Sequence, residues 1–136
     1  MSVRNLDSLF DPASVAVIGA SERPASVGAT VWRNLLGGGF TGEVYPVNPK
    51  HRQLDGHKVY AHIRDLPQTP ELAIICTPPA TVPGLVHELA KRGTRAAIIL
   101  TAGLSAEEKR AAQDAARPHL LRLLGPNCIG LLSPHF

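Results

Sequence analysis

Five short clusters of small, hydroxyl-bearing and amide residues recur along the chain, each just after an apolar run. They are Gly19-Ala20-Ser21 leading to Ser26-Val27-Gly28, then Asn48-Pro49-Lys50, Thr77-Pro78-Pro79, Thr101-Ala102-Gly103 and Pro126-Asn127-Cys128. Short side chains leave backbone N–H groups open, and hydroxyls and amides add donors, a set suited to holding phosphates beside helix N-termini. Gly and Pro also punctuate ordinary turns, so the inference rests on all five clusters falling on one edge of a fold. The first cluster is the longest, and Glu22-Arg23-Pro24-Ala25 within it forms a loop with room to fold over a ligand.

Lys50 stands where a dinucleotide-binding unit commonly ends its second strand with Asp or Glu to grip a ribose. A cation there calls for an anionic group on the ligand, or else it is a solvated turn residue. Gly37-Gly38-Gly39-Phe40-Thr41-Gly42 matches G-x-G-x-x-G literally, but that motif acts only between a strand and a following helix. Here the glycines leave a helix and enter a strand, so helix termination accounts for them. Cys128 has no histidine near it in sequence, and Cys76 ends an apolar run as a small core residue would. No catalytic residue is assigned. The six histidines lack HxxxH or HExxH spacing, so no metal site is expected.

The elements that must position these clusters are legible as five apolar runs: 14–19 (SVAVIG), 43–47 (EVYPV), 72–76 (LAIIC), 96–100 (AAIIL) and 120–124 (LLRLL). They are nearly continuous in apolar character, as strands covered on both faces of a parallel sheet are. Between them, helices are expected over about 27–36, over 81–92 with Pro83 in its first turn and Gly93 as its stop, and from Ser105, where Ser-Ala-Glu-Glu makes a capping box, to about Pro118. Residues 51–71 are irregular, with Asp55-Gly56 as a turn and a short extended piece at 58–63. The fold class is α/β: one Rossmann-like domain over 1–136, a doubly wound parallel sheet of about five strands with ligands outside the carboxyl ends. The expected strand order is 3-2-1-4-5, counting the five runs along the chain.

Bulk properties agree. At 136 residues with 44% hydrophobic and 18% charged content, the chain is one ordinary globular domain, and its net charge of +3 suits an anionic small ligand. Scattered cations and six aromatic residues (one Trp, two Tyr, three Phe) make no nucleic-acid stripe. No membrane span or signal peptide is readable, which makes the cytoplasm the expected location.

Taken in order, SVAVIGAS (14–21), SVG (26–28), GGFTGEVYPVNPK (38–50), CTPP (76–79), LTAG (100–103) and RLLGPNCIGL (122–131) resemble the CoA-binding domain of NDP-forming acyl-CoA synthetases, related to the succinyl-CoA synthetase α subunit. The resemblance implies coenzyme A or acyl-CoA as the ligand. It puts the phosphates at the first loop and helix (Gly19, Ser21, Arg23, Ser26, Val27, Gly28), and Asn48 and Lys50 near the nucleotide. Thr101, Ala102 and Gly103 then follow the pantetheine arm, with Asn127 and Cys128 near the thiol end, and Thr77, Pro78 and Pro79 of the third cluster complete the candidate cofactor contacts. This chain has Ala102 where the succinyl type has glutamate. CoA carries a 3′-phosphate on its ribose, which makes a lysine at position 50 apt.

Enzymes of that family also use a phosphohistidine domain and an ATP-grasp domain, and neither is readable here. The chain is therefore expected to be the N-terminal piece of a longer protein and not catalytic alone. The stretches 6–21, 66–77 and 121–134 are also similar to bacterial protein lysine acetyltransferases that fuse such a region to a GNAT domain. An NAD(P)-binding oxidoreductase domain and a stand-alone CoA-binding regulator are the competing readings.

Overall fold

The computed structural model describes residues 6–24 and 26–125. Helix α1 (Leu6–Phe10) precedes strand β1 (Ser14–Ile18), helix α2 (Val27–Gly37) and strand β2 (Glu43–Val47). A small hairpin of β3 (Gln53–Leu54) and β4 (His57–Lys58) follows. Then come β5 (Leu72–Ile75), α3 (Val82–Arg92), β6 (Ala96–Ile99), α4 (Ala106–Ala116) and β7 (Arg122–Leu124).

The main sheet is parallel with the order β2-β1-β5-β6-β7. In the numbering of the five apolar runs this is 2-1-3-4-5, which corrects the expected 3-2-1-4-5: the third run lies inside the sheet beside β1, not outside β2. The fold class stands, since both orders are doubly wound. Pro46 supplies the physical reason. A proline has no N–H for a ladder and is confined to sheet edges, and the expected order would have put β2 in the interior. In the structure β2 is an edge strand, and the Pro46 carbonyl faces outward to accept from Tyr60 N at 2.9 Å. The donor-less nitrogen faces the same outer side. A parallel bridge from Val47 to Tyr60 covers that edge.

Alternation along the inner strands feeds two cores. Val15, Val17, Leu72, Ile74, Ala96 and Ile98 pack with Trp32 and Leu35 of α2 and Leu9 of α1. Ala16, Ile18, Ala73, Ile75, Ala97 and Ile99 pack with Val82, Val86, Leu89 and Ala90 of α3 and with Ala112 and Ala116 of α4. Every residue of β1, β5 and β6 is buried, as a sheet sandwiched between helical layers requires.

The local signals behave as their chemistry dictates. Ser105 Oγ accepts from Glu108 N at 3.0 Å while Glu108 Oε1 accepts from Ser105 N at 2.8 Å, the reciprocal capping box. Gly93 ends α3 in the left-handed region at φ 102°. Asp55-Gly56 turns the hairpin with φ 50° and 79°, a pairing that matches strand twist. Gly37-Gly38-Gly39 closes α2 and does not begin a helix.

Candidate functional site

The carboxyl ends of the strands present their loops side by side, and a chain of backbone contacts joins them. The first and second loops meet where Gly19 N donates to Val47 O at 2.8 Å and Asn48 Nδ2 donates to Ala20 O at 3.0 Å. Asn48 Oδ1 in turn accepts from Lys50 N at 2.9 Å, so one amide fixes both loops and leaves the Lys50 side chain exposed. The first and third loops meet at Gly19. Its φ is +96°, and a Cβ there would come within 3.2 Å of the Cys76 carbonyl and Thr77 Cγ2, so only glycine fits. This is the switch point between β1 and β5, where chain connections leave in opposite directions and an open sheet offers its crevice.

The third and fourth loops are tied by Thr101, whose Oγ1 donates to Thr77 O at 2.7 Å. Thr77 Oγ1 and Thr81 Oγ1 lie 2.7 Å apart, and the Thr81 proton goes to Pro78 O at 2.6 Å, which makes Thr77 the donor between them. Gly103, at φ +84°, lies beside the Pro79 ring, and Ala102 is exposed. Asn127 and Cys128 lie outside the described residues. Gly125, the last described residue, packs so close to Ile99 O that a Cβ would strike it.

Helix α2 supplies the donors. Ser26 caps it, its Oγ accepting from Ala29 N at 3.1 Å and donating to Arg23 O at 2.8 Å. Ser21 Oγ accepts from Arg23 N at 2.9 Å, tightening the turn before the cap. Thr30 N goes to Ser26 O. That leaves the Val27 and Gly28 N–H groups without partners among the described residues, at the positive end of the helix dipole. The Val27 side chain is 52% exposed at the same end. Gly28 is there for packing: a Cβ would run into the Gly19 carbonyl oxygen. A side chain at 28 would therefore push α2 off β1 before it reached any ligand.

Three features escaped sequence reasoning. The hairpin is pinned beside the first loop, Asp55 Oδ2 accepting from Trp32 Nε1 at 2.9 Å and Asp55 N donating to Glu22 Oε1 at 3.2 Å. Tyr60 flanks the second loop through Asn48 N, which donates to Tyr60 O at 2.9 Å. Lys58 Nζ sits 5.3 Å from the centre of the Tyr60 ring. Asp55-Gly56 was readable as a turn, but nothing in the spacing joins positions 32 and 55.

The rim is electrostatically simple. The Glu22 carboxylate accepts from the Asp55 backbone N–H and the Asp55 carboxylate accepts from Trp32 Nε1, while Arg23 and Lys50 are exposed. Below the second loop, burial raises the Tyr45 hydroxyl above its usual value, helped by Glu43 and Tyr60 and opposed by Arg92. Among the described residues no group of three or more His, Cys, Asp or Glu side chains could hold a metal ion, and no helix is long and apolar enough to cross a membrane. Short donors, two helix N–H groups without partners among the described residues and an exposed lysine along one edge suit a phosphorylated ligand.

Comparison with known proteins gives the family. The family described as "CoA binding domain" matches residues 13–134. The acetate–CoA ligase (ADP-forming) of Methanocaldococcus jannaschii is 37% identical over 91% of this chain and 18% of its own length. The α subunit of acetate–CoA ligase (ADP-forming) I of Pyrococcus furiosus is 35% identical over 94% of this chain and 30% of its own. A dinucleotide-forming acetyl-coenzyme A synthetase 1 of Ca. Korarchaeum cryptofilum, solved with phosphate and ADP, superposes with a TM-score of 0.89 at 36% identity, over 96% of this chain and 29% of that one. A conserved hypothetical protein of P. furiosus superposes at 0.70 with 28% identity, over 85% of this chain and 95% of that one. The chain thus spans less than a third of the ligases it matches. It belongs to the CoA-binding domain family.

Proposed function

From that membership we propose that the chain binds coenzyme A or an acyl-CoA along the carboxyl rim, as the nucleotide-binding domain of an NDP-forming acyl-CoA synthetase. The carrying observation is the coincidence, in a member of this family, of N–H groups at Val27 and Gly28 that have no partner among the described residues with an exposed Lys50 whose N–H is held by Asn48. The pyrophosphate lies at the amino end of α2, where N–H groups and dipole favour anions. Lys50 meets the ribose 3′-phosphate as a point charge. The arm follows Thr77, Pro78, Pro79, Ala102 and Gly103 toward Asn127 and Cys128. Thr101 contributes through its hold on the third loop, because its proton is committed to Thr77 O.

The chain supplies binding and orientation, not chemistry. Thioester formation would need an ATP site and a phosphohistidine on further domains or subunits, which fits relatives three to five times its length. A protein acetyltransferase parent would use the same binding act. A second reading, a self-standing CoA-binding module, is favoured by one observation: the hypothetical protein of P. furiosus is covered over 95% of its length by this one domain.

A double-mutant cycle tests the phosphate assignment. Lys50→Ala should weaken CoA about tenfold or more, as a charge-assisted contact of roughly 1.5–3 kcal/mol implies, while dephospho-CoA binds mutant and wild type alike. Equal weakening of both ligands, or of neither, refutes the assignment.

A further inference from the structure

The hairpin that follows Lys50 carries an unusual division of charge. Over 50–58 it bears Lys50, Arg52 and Lys58, all exposed. Its own acid, Asp55, is turned away to Trp32 Nε1, and the nearest loop acid, Glu22, is turned to the Asp55 N–H. The ion pair between described residues joins Arg117 to Asp114, far along the sequence. The acids at this corner are thus engaged at the hairpin tip, while the cations at its base have no carboxylate partner among the described residues.

Lys58 is also held in place. Its ammonium lies over the Tyr60 ring, 5.3 Å from the centroid, an arrangement that favours a fixed cation. The Tyr60 ring stacks edge-on against buried Tyr45, with centroids 6.2 Å apart. Its backbone brackets the end of β2: Tyr60 N donates to Pro46 O and Asn48 N to Tyr60 O, both at 2.9 Å. Asn48 is the residue whose side chain holds Lys50 N. Lys50 and Lys58 are therefore anchored to one short stretch of backbone, from opposite ends of the hairpin.

We infer that Lys58, held over Tyr60, is a second phosphate-reading cation that acts with Lys50 on the terminal ribose phosphate of the ligand. The inference rests on the CoA reading above and adds a specificity-determining residue to it. Two cations suit a phosphate monoester, which carries close to two negative charges at neutral pH. The adenosine ribose of NAD, with hydroxyls only, offers neither cation an anionic partner.

The test is calorimetric titration of the 136-residue chain and its Lys58→Ala, Lys58→Arg and Lys50→Ala/Lys58→Ala variants with CoA and dephospho-CoA. Lys58→Ala should weaken CoA three- to tenfold with dephospho-CoA unchanged, and Lys58→Arg should retain most of the preference. The double variant should bind the two ligands nearly alike, and the wild-type preference should shrink at high salt. If Lys58→Ala binds both ligands as wild type does, or loses both equally, the assignment is overturned. Loss of CoA binding by the wild type would instead overturn the underlying reading.

Discussion

Two glycines in the first turns of two helices should respond to the same substitution with opposite signs. At Gly84 in α3 an added Cβ meets nothing within 4 Å, so Gly84→Ala only restricts the unfolded chain and improves helix propensity. That is worth about 0.4–1 kcal/mol of added stability. At Gly28 in α2 the same methyl runs into the Gly19 carbonyl oxygen, with Gly19 C at 3.0 Å and Ala20 Cα at 3.6 Å. The obstructing atom cannot swing aside. Gly19 is held at φ +96°, its N–H is bonded to Val47 O, and Cys76 packs behind it. Overpacking against such a neighbour costs about 1–3 kcal/mol or more, so Gly28→Ala should lose about 2–3 kcal/mol net. For a chain between the 100- and 150-residue classes this lowers Tm by roughly 10 °C. Urea and thermal unfolding of the two variants beside wild type read the difference directly. A Gly28→Ala protein within 0.5 kcal/mol of wild type would refute the close approach of α2 to β1 on which the rim geometry depends.

Thr101→Val, nearly isosteric, should cost about 1–2 kcal/mol in chemical denaturation because it removes the donor to Thr77 O; no change would mean the tie between the third and fourth loops is dispensable. Stability should also fall as pH rises above about 10. The Tyr45 hydroxyl is raised by burial, with Glu43 and Tyr60 adding to the effect, so the unfolded state releases this proton first and gains from rising pH. The contribution is complete below the unfolded value and is lost as pH climbs toward the folded one. Tyr45→Phe should flatten this part of the alkaline profile, and an identical slope in the variant would show that another group is responsible. Purified residues 1–136 should form no thioester from ATP, acetate and CoA; a product peak on chromatography would contradict the assignment of chemistry to other domains.

The strands and caps were legible because their signals are local. EVYPV predicts β2 to the residue, and Ser105 with Glu108 predicts the start of α4. Strand order was not, since two doubly wound topologies share one pattern of runs. Pro46 was the clue, a residue an interior strand would not tolerate. The rim clusters were also readable, yet the division of labour within them was not. Whether a hydroxyl faces a ligand or a neighbouring loop, as at Thr101, depends on a carbonyl 24 positions away. The hairpin shows the same limit: Asp55-Gly56 announces a turn, but its attachment to Trp32 and Glu22 joins segments 23 and 33 positions apart.

The central claim is that the carboxyl rim selects a ligand bearing a ribose phosphate over one with a bare ribose. Parallel calorimetric titrations of the wild-type chain with CoA, acetyl-CoA, NAD and NADP test it most directly. Saturable heat with CoA and acetyl-CoA, and none with NAD, is the predicted result, with NADP weak at best because its phosphate is on the 2′ oxygen and it lacks the pantetheine arm. Tight NAD binding with no response to CoA would contradict the account.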